Sequence, residues 1–593
     1  MSVQTAGNRI KAEPVRAAGR PISRGLKARA AIAPKGDLKF RSDKNMRRSE
    51  LLMPAGNLQK LKIAVLYGAD AIYLGTPDMS LRTKAEFTLE QVVEGIEFAH
   101  KHGKRVYLTL NLFSHNKDIP KLDEYAETIR DINPDGLIIA DPGVFQYMRQ
   151  KLPNVPLHIS TQANVCSWLS VNFWKEQGAE LVVLAREVSF PELAEIREKC
   201  PDVRLEAFVH GAMCMTYSGR CLLSNFMAER GANQGNCANS CRWNYKVRMR
   251  MKDGTINELE LTENNIDMFE FLLEEGCRPG ELMPILEDGR GSYILNSKDL
   301  CLMPKLDDYL RIGVDSLKVE GRNKSMYYVA VVARAYRQAI DDYYADPENW
   351  NPQKYMDEMY SVANRGYTTA FHDGRLNNYA HNYEDTHSIG EWEFAGLIEE
   401  VTDDAFYMKV KNKITAGEVL EFLQPLSDQS VLLRIYEFED AKDGSVTSEV
   451  HAGKQPVVRI PFSLFDKEDV STFKERFPVN TIIRKEKPLT PEQWSRLKLD
   501  RTAERIERRG VATPAQQDKY ETLRDKLIDA IADGNQDRTP KSPRLGIDGC
   551  CGRGCNGCMI FWEDPKFEKA RELLKSKKQG EMLERNALKH DIA

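Results

Sequence analysis

The 593-residue chain has no run of eighteen apolar residues, so nothing in it is expected to span a membrane as a helix. Residues 1–49 contain no apolar stretch of the kind a secretory signal needs, and a cytoplasmic location is expected. Net charge is small, −4, which by itself predicts no polyanionic partner. No H-E-x-x-H occurs, and no obvious Ser-His-Asp arrangement is visible. The first apolar β-run is not followed by G-x-G-x-x-G, so a dinucleotide-binding turn is not indicated there.

What is present is unevenly distributed. Residues 1–49 carry thirteen Lys/Arg against Glu13, Asp37 and Asp43, without hydrophobic periodicity. Residues 1–48 therefore read as a disordered basic arm. Such an arm suits RNA, a solubilising tail or an organelle presequence. Twelve cysteines are many for a chain without a secretory signal, and eight fall in two tight groups. Clustering of that kind points to metal rather than disulfides.

Short apolar or β-branched runs recur at Leu51–Pro54, Ala71–Gly75, Arg105–Asn111, Gly136–Asp141, Leu157–Gln162, Leu181–Glu187, Leu205–Gly211 and Ser316–Arg322. Amphipathic stretches such as Leu89–His102 and Leu122–Ile132 separate most of them. Eight β-runs with helical crossovers predict an α/β fold, a (β/α)8 TIM-like barrel over residues 49–345, with an open doubly wound sheet as runner-up. A cysteine-bearing insertion is expected over 213–312, a connector over 346–390 and a small all-β module over 391–490. Exposed charged helices are expected over 491–540, then a Cys-rich tail over 541–593.

Function in such a barrel gathers at the C-terminal strand ends. There lie Asn111, Asp141, Ser160, Gln162, Arg186, Glu187, Glu206, His210, Glu320, Arg322, Asn323 and Lys324. The arginines suit an anionic ligand, since a guanidinium fork matches a carboxylate or phosphate. Glu206 and His210, at i and i+4 on one strand, are expected to share a face and are the candidates for proton transfer.

The first cysteine group, Cys214, Cys221, Cys237 and Cys241, follows the seventh β-run. Four thiolates enclose either an iron–sulfur cube or a tetrahedral zinc, and the spacing is not that of common zinc ribbons. The second group, Cys550, Cys551, Cys555 and Cys558, is flanked by glycines and suits a second iron–sulfur cluster or zinc.

The run Glu206-Ala-Phe-Val-His-Gly-Ala-Met-Cys214 through Cys221-Leu-Leu-Ser224 resembles the signature of the collagenase-like peptidase family, peptidase U32. So do Asn233–Trp243, Asn296–Cys301, Lys318–Arg322 and Asn364–Thr369. The chain is most similar to the prephenate-dependent tRNA uridine hydroxylase branch, over roughly residues 50–490. That resemblance implies a 4Fe–4S cluster on Cys214, Cys221, Cys237 and Cys241. It also implies oxygen-independent formation of 5-hydroxyuridine at the tRNA wobble position, with prephenate as hydroxyl source. Partners would be tRNA, that dicarboxylate, and an electron-transfer partner. Asn111, Ser160, Gln162, Arg186, Glu187, Glu320 and Arg322 are the expected substrate-binding set. A peptidase, a ribosomal-RNA hydroxylase and a non-enzymatic iron–sulfur scaffold are the alternatives.

Overall fold

The computed structural model describes residues 48–75, 87–111, 114–213, 297–374, 388–427, 429–464 and 475–509, together with short strands between 248 and 293 and a few residues at 380 and between 516 and 524. The basic arm and both cysteine groups lie outside the described residues.

Seven parallel strands follow one another: β1 (Glu50–Pro54), β2 (Ala71–Leu74), β3 (Arg105–Leu110), β4 (Gly136–Ile139), β5 (Leu157–Ile159), β6 (Leu181–Val183) and β7 (Arg204–Ala212). Strand β8 (Asp299–Cys301) runs outside the barrel, and β9 (Ser316–Val319) closes it by pairing in parallel with both β1 and β7. All eight expected runs contribute a strand, and the sheet is a closed barrel. Helices α1 (Leu58–Leu66), α2 (Leu89–Lys101), α3 (Leu122–Ile132), α4 (Pro142–Lys151), α5 (Trp168–Glu176) and α6 (Phe190–Lys199) form the crossovers.

Local chemistry sets these helix ends. Asn57 accepts from the Lys60 amide at 3.0 Å to start α1, and Thr88 with Gln91 forms a capping box on α2. Asp141 accepts from the Gly143 and Val144 amides ahead of Pro142, so it is a helix cap rather than a ligand-binding group. Helix α3 ends on Asn133 at φ 53°, the left-handed stop that Asn tolerates.

Beyond α7 (Leu306–Arg311), the twenty-residue α8 (Met326–Ala345) buries twelve side chains against the barrel. Residues 346–390 are no mere connector. Helix α9 (Gln353–Ser361) buries Tyr355, Met356 and Met359, and β10 (Tyr367–Thr368) pairs with β8.

The following module is an eight-stranded antiparallel sheet. In chain order its strands are β11 (Trp392–Val401), β12 (Ala405–Val410), β13 (Val419–Leu423), β14 (Ser430–Arg434), β15 (Phe438–Asp440), β16 (Val446–Thr447), β17 (Val457–Pro461) and β18 (Ile482–Glu486). They lie in the order β14-β13-β18-β11-β12-β17-β15-β16. One face carries its own core around Phe406, Phe422 and Phe438, while Leu397, Leu423 and Ile482 join the barrel core. Two of its lysines are ion-paired: Lys409 with Glu399, and Lys413 with Glu449 at 2.7 Å.

Helix α10 (Pro491–Arg509) departs from the expectation of an exposed charged helix. Leu497, Leu499 and Ala503 are buried on it, and so are Arg496 and Asp500. Asp500 accepts from Arg496 Nε at 3.1 Å and faces Lys298 Nζ at 3.6 Å. The charges that suggested a solvated face are an internal ion-pair group. Among the described residues no helix is long and apolar enough to cross a membrane.

Candidate functional site

Side chains of a barrel strand alternate between the lumen and the helical layer. On β3, Val106, Leu108 and Leu110 belong to the large core outside the barrel, whereas Tyr107 packs in the lumen with Tyr73, Leu52, Ala71 and Ile138. The lumen holds an unusual amount of polarity. Near its floor Glu50 pairs with Arg105 and accepts from the Tyr107 hydroxyl at 3.1 Å. Burial raises the Glu50 carboxyl to about 7, more than Arg105 lowers it.

Above Glu50, the Ser316 hydroxyl lies 3.4 Å from Glu50 Oε1 and donates to Glu206 Oε2 at 2.8 Å. The other Glu206 oxygen accepts from Lys318 Nζ at 2.7 Å. Lys318 Nζ in turn sits 4.4 Å from the Tyr73 ring centroid and 5.7 Å from that of Phe208. Glu206 is 0 % exposed and lies three residues into the nine-residue β7. It is therefore inside the barrel, below the rim where it was expected.

The mouth carries the remaining cations. The Arg186 guanidinium stacks 3.9 Å over Phe208 and faces Glu320 Oε2 at 3.5 Å. Arg322 lies 5.7 Å from the Tyr73 ring, and burial lowers its pKa. Arg186, Lys318 and Arg322 thus surround two aromatic faces, opposed by Glu206 and Glu320. Across the mouth, Asn111 Nδ2 donates to Ser160 Oγ at 3.5 Å, and Ser160 Oγ also accepts from the Gln162 amide at 3.3 Å. Burial raises the Glu187 carboxyl.

His210 does not join Glu206. The pairing of β7 with β9 runs Ser316–Glu206 and Lys318–Phe208, then jumps to Val319–His210. Val209 is the extra residue, and a one-residue bulge reverses which face the next side chains take. His210 consequently packs outside the lumen, 5.4–5.9 Å from the rings of Tyr328, Tyr336 and Tyr367. It pairs with Cys301 across β8, and burial lowers its pKa to about 3, so the ring is neutral. The expectation of a shared face fails on that bulge.

Sequence reading missed Tyr73, Phe208, Lys318, Glu50 and Ser316. Phe208 and Lys318 stand inside motifs already singled out, and the period-two alternation from Glu206 pointed to Phe208. The four first-group cysteines follow β7 directly, beginning two residues after Ala212, but lie outside the described residues, as does the second group. Among the described residues no group of three His, Cys, Asp or Glu is placed to hold a metal ion.

Comparison with known proteins matches residues 56–382 to the model of peptidase family U32. The chain is 38 % identical over 425 residues to tRNA hydroxylation protein P1 of Bacillus subtilis (strain 168), spanning 71 % of this chain and 93 % of that one. It is 39 % identical over 396 residues to tRNA hydroxylation protein P of Escherichia coli (strain K12), spanning 64 % and 87 %. The 23S rRNA 5-hydroxycytidine C2501 synthase of the same strain is 30 % identical over 294 residues, spanning 50 % and 39 %. The chain belongs to peptidase family U32.

Proposed function

We propose that this protein is a tRNA uridine hydroxylase, forming 5-hydroxyuridine at the wobble position without molecular oxygen and with prephenate as the source of the hydroxyl. The observation that carries the reading is the span of the likeness. Two tRNA hydroxylation proteins match over 93 % and 87 % of their lengths, against 39 % for the ribosomal-RNA enzyme. Among the described residues a peptidase reading lacks a nucleophile. The buried His372–Asp308 pair, at 3.2 Å, has the Tyr309 hydroxyl at 3.5 Å on its other nitrogen and no serine or cysteine there.

The mouth supplies what a dicarboxylate needs. Arg186 and Arg322 offer guanidinium donors, and Phe208 and Tyr73 hold those cations in place. Glu320 orients Arg186 until a ligand carboxylate takes its place. From below, Glu206 holds Lys318 under the two rings, so positive charge is present where the carboxylates enter.

The all-thiolate donor set of Cys214, Cys221, Cys237 and Cys241 fits an iron–sulfur cluster, which when bound would supply electron transfer. Cys550, Cys551, Cys555 and Cys558 fit a second cluster or zinc by the same chemistry. The protein works in the cytoplasm, with an electron-transfer partner.

Purified protein with reconstituted iron, incubated anaerobically with unmodified tRNA, is expected to yield 5-hydroxyuridine only when prephenate is added. Arg186→Met is expected to raise KM for prephenate at least tenfold. Glu206→Gln is expected to lower turnover with iron content unchanged. Product formed equally well without prephenate contradicts the reading.

A further inference from the structure

The wall of the mouth opposite the arginines carries buried polar atoms with nothing to bind. Alternation along β3 sets Thr109 on the same side as the lumen residue Tyr107, and Asn111 follows directly on the strand's last residue, Leu110. Thr109 is 3 % exposed and Asn111 8 %. Among the described residues, Thr109 Oγ1 and Asn111 Oδ1 have no hydrogen-bond partner. Asn111 spends its amide nitrogen on Ser160, which leaves its oxygen free. Buried polar groups are almost always paired, because an unpaired one destabilises the folded chain. Two of them at the C-terminal end of β3, at a barrel mouth, mark a place where a ligand completes the pairing.

The chemistry of the free atoms selects the ligand. Asn111 Oδ1 accepts only, so it takes an N–H or O–H donor and repels a carboxylate. The Thr109 hydroxyl donates to a carbonyl or ring nitrogen. An adjacent N–H and acceptor on a flat ring is the edge of a nucleobase, and the hydroxylase reading makes that base a pyrimidine. The facing wall has the opposite character, with Arg186 stacked on Phe208 and Arg322 beside Tyr73.

We propose that the mouth is divided between two ligands: Thr109 and Asn111 read the edge of a pyrimidine base taken out of its stack, and the Arg186–Phe208–Arg322 wall takes the carboxylate co-substrate. The naming of the base and of the co-substrate rests on the hydroxylase reading above; the division into a hydrogen-bonding wall and a cationic wall does not. It places the base and the anionic co-substrate on facing walls of one cup. Base extrusion suits a site inside a barrel, which a paired or stacked base cannot enter.

The test uses the full-length protein and two anticodon stem-loop RNAs, one with uridine and one abasic at the wobble position. Wild type is expected to bind the uridine RNA about tenfold more tightly, and Thr109→Val to bind both alike. That coupling isolates the base–hydroxyl contact. Thr109→Val is also expected to melt at or above the wild-type temperature, since it removes an unpaired buried hydroxyl. A hydroxyl with a structural role lowers the melting temperature instead. Prephenate affinity is expected to be unchanged in Thr109→Val and weakened in Arg186→Met.

Equal binding of both RNAs by wild type overturns the division. So does a Thr109→Val variant that is less stable yet still prefers uridine. A wild-type protein that prefers uridine but hydroxylates no RNA keeps the division and refutes the hydroxylase reading.

Discussion

The residue that most clearly records the cost of a polar lumen is Glu50. Its carboxyl ordinarily titrates at 4.5 and here at about 7, because burial outweighs the neighbouring Arg105. The folded chain therefore holds a proton that the unfolded chain releases first. Stability falls as pH rises from 4.5 to 7, by about 3 kcal/mol at most, and stays reduced above 7. Glu50→Gln is expected to remove that slope, so that in urea titrations it gains on wild type as pH rises through this window. A parallel pH dependence in the two proteins contradicts the assignment. His158, in the same lumen and 4.7 Å from the Tyr107 ring, is pushed down to about 3 by burial and stays neutral throughout. Little of this was legible in the sequence. Glu50 reads as the polar edge of an apolar run, and Lys318 as a charge inside a motif. Only barrel closure brings β1, β7 and β9 together and makes these charges partners.

Among the elements, β7 does most to shape the site. Its first half lines the lumen with Glu206 and Phe208, and its second half leaves the barrel to pair with β8. Gly211 marks the transition, at φ +119°. A Cβ on it would lie 2.5 Å from the Glu320 carbonyl oxygen. Gly211→Ala is expected to cost more than about 1 kcal/mol and to displace Glu320, lowering affinity for the proposed dicarboxylate as well as stability. Wild-type stability in that variant contradicts the geometry. The strand itself was legible as an apolar run; the bulge at Val209 was not, since Phe-Val-His-Gly carries no marker of an inserted residue except the glycine. Helix α10 shows the converse. Its helical period was legible, but Arg496 and Asp500 at i and i+4 look the same whether they face water or Lys298.

At the scale of the whole molecule, α10 and the segment leading into β8 share buried charge. Lys298 and Arg496 both face Asp500, and a Cβ on Gly366 would lie 2.6 Å from that carboxylate. Asp500→Ala leaves two buried cations without it and is expected to destabilise the chain by about 3–5 kcal/mol, read as a lower denaturation midpoint. Loss below about 1 kcal/mol would show that α10 is a surface appendage after all. Eight strand runs with crossovers made the barrel readable from sequence, since period and spacing are local properties. The chemistry depends on which walls face each other, and that is a property of closure.

The activity proposed for this barrel is hydroxylation of tRNA. Mass spectrometry of nucleosides from total tRNA of anaerobically grown cells, with and without the gene, tests it most directly. Loss of 5-hydroxyuridine and its derivatives is expected without the gene, with recovery on returning wild type but not Arg186→Met. An unchanged tRNA profile together with a missing hydroxylated nucleoside in ribosomal RNA would contradict it.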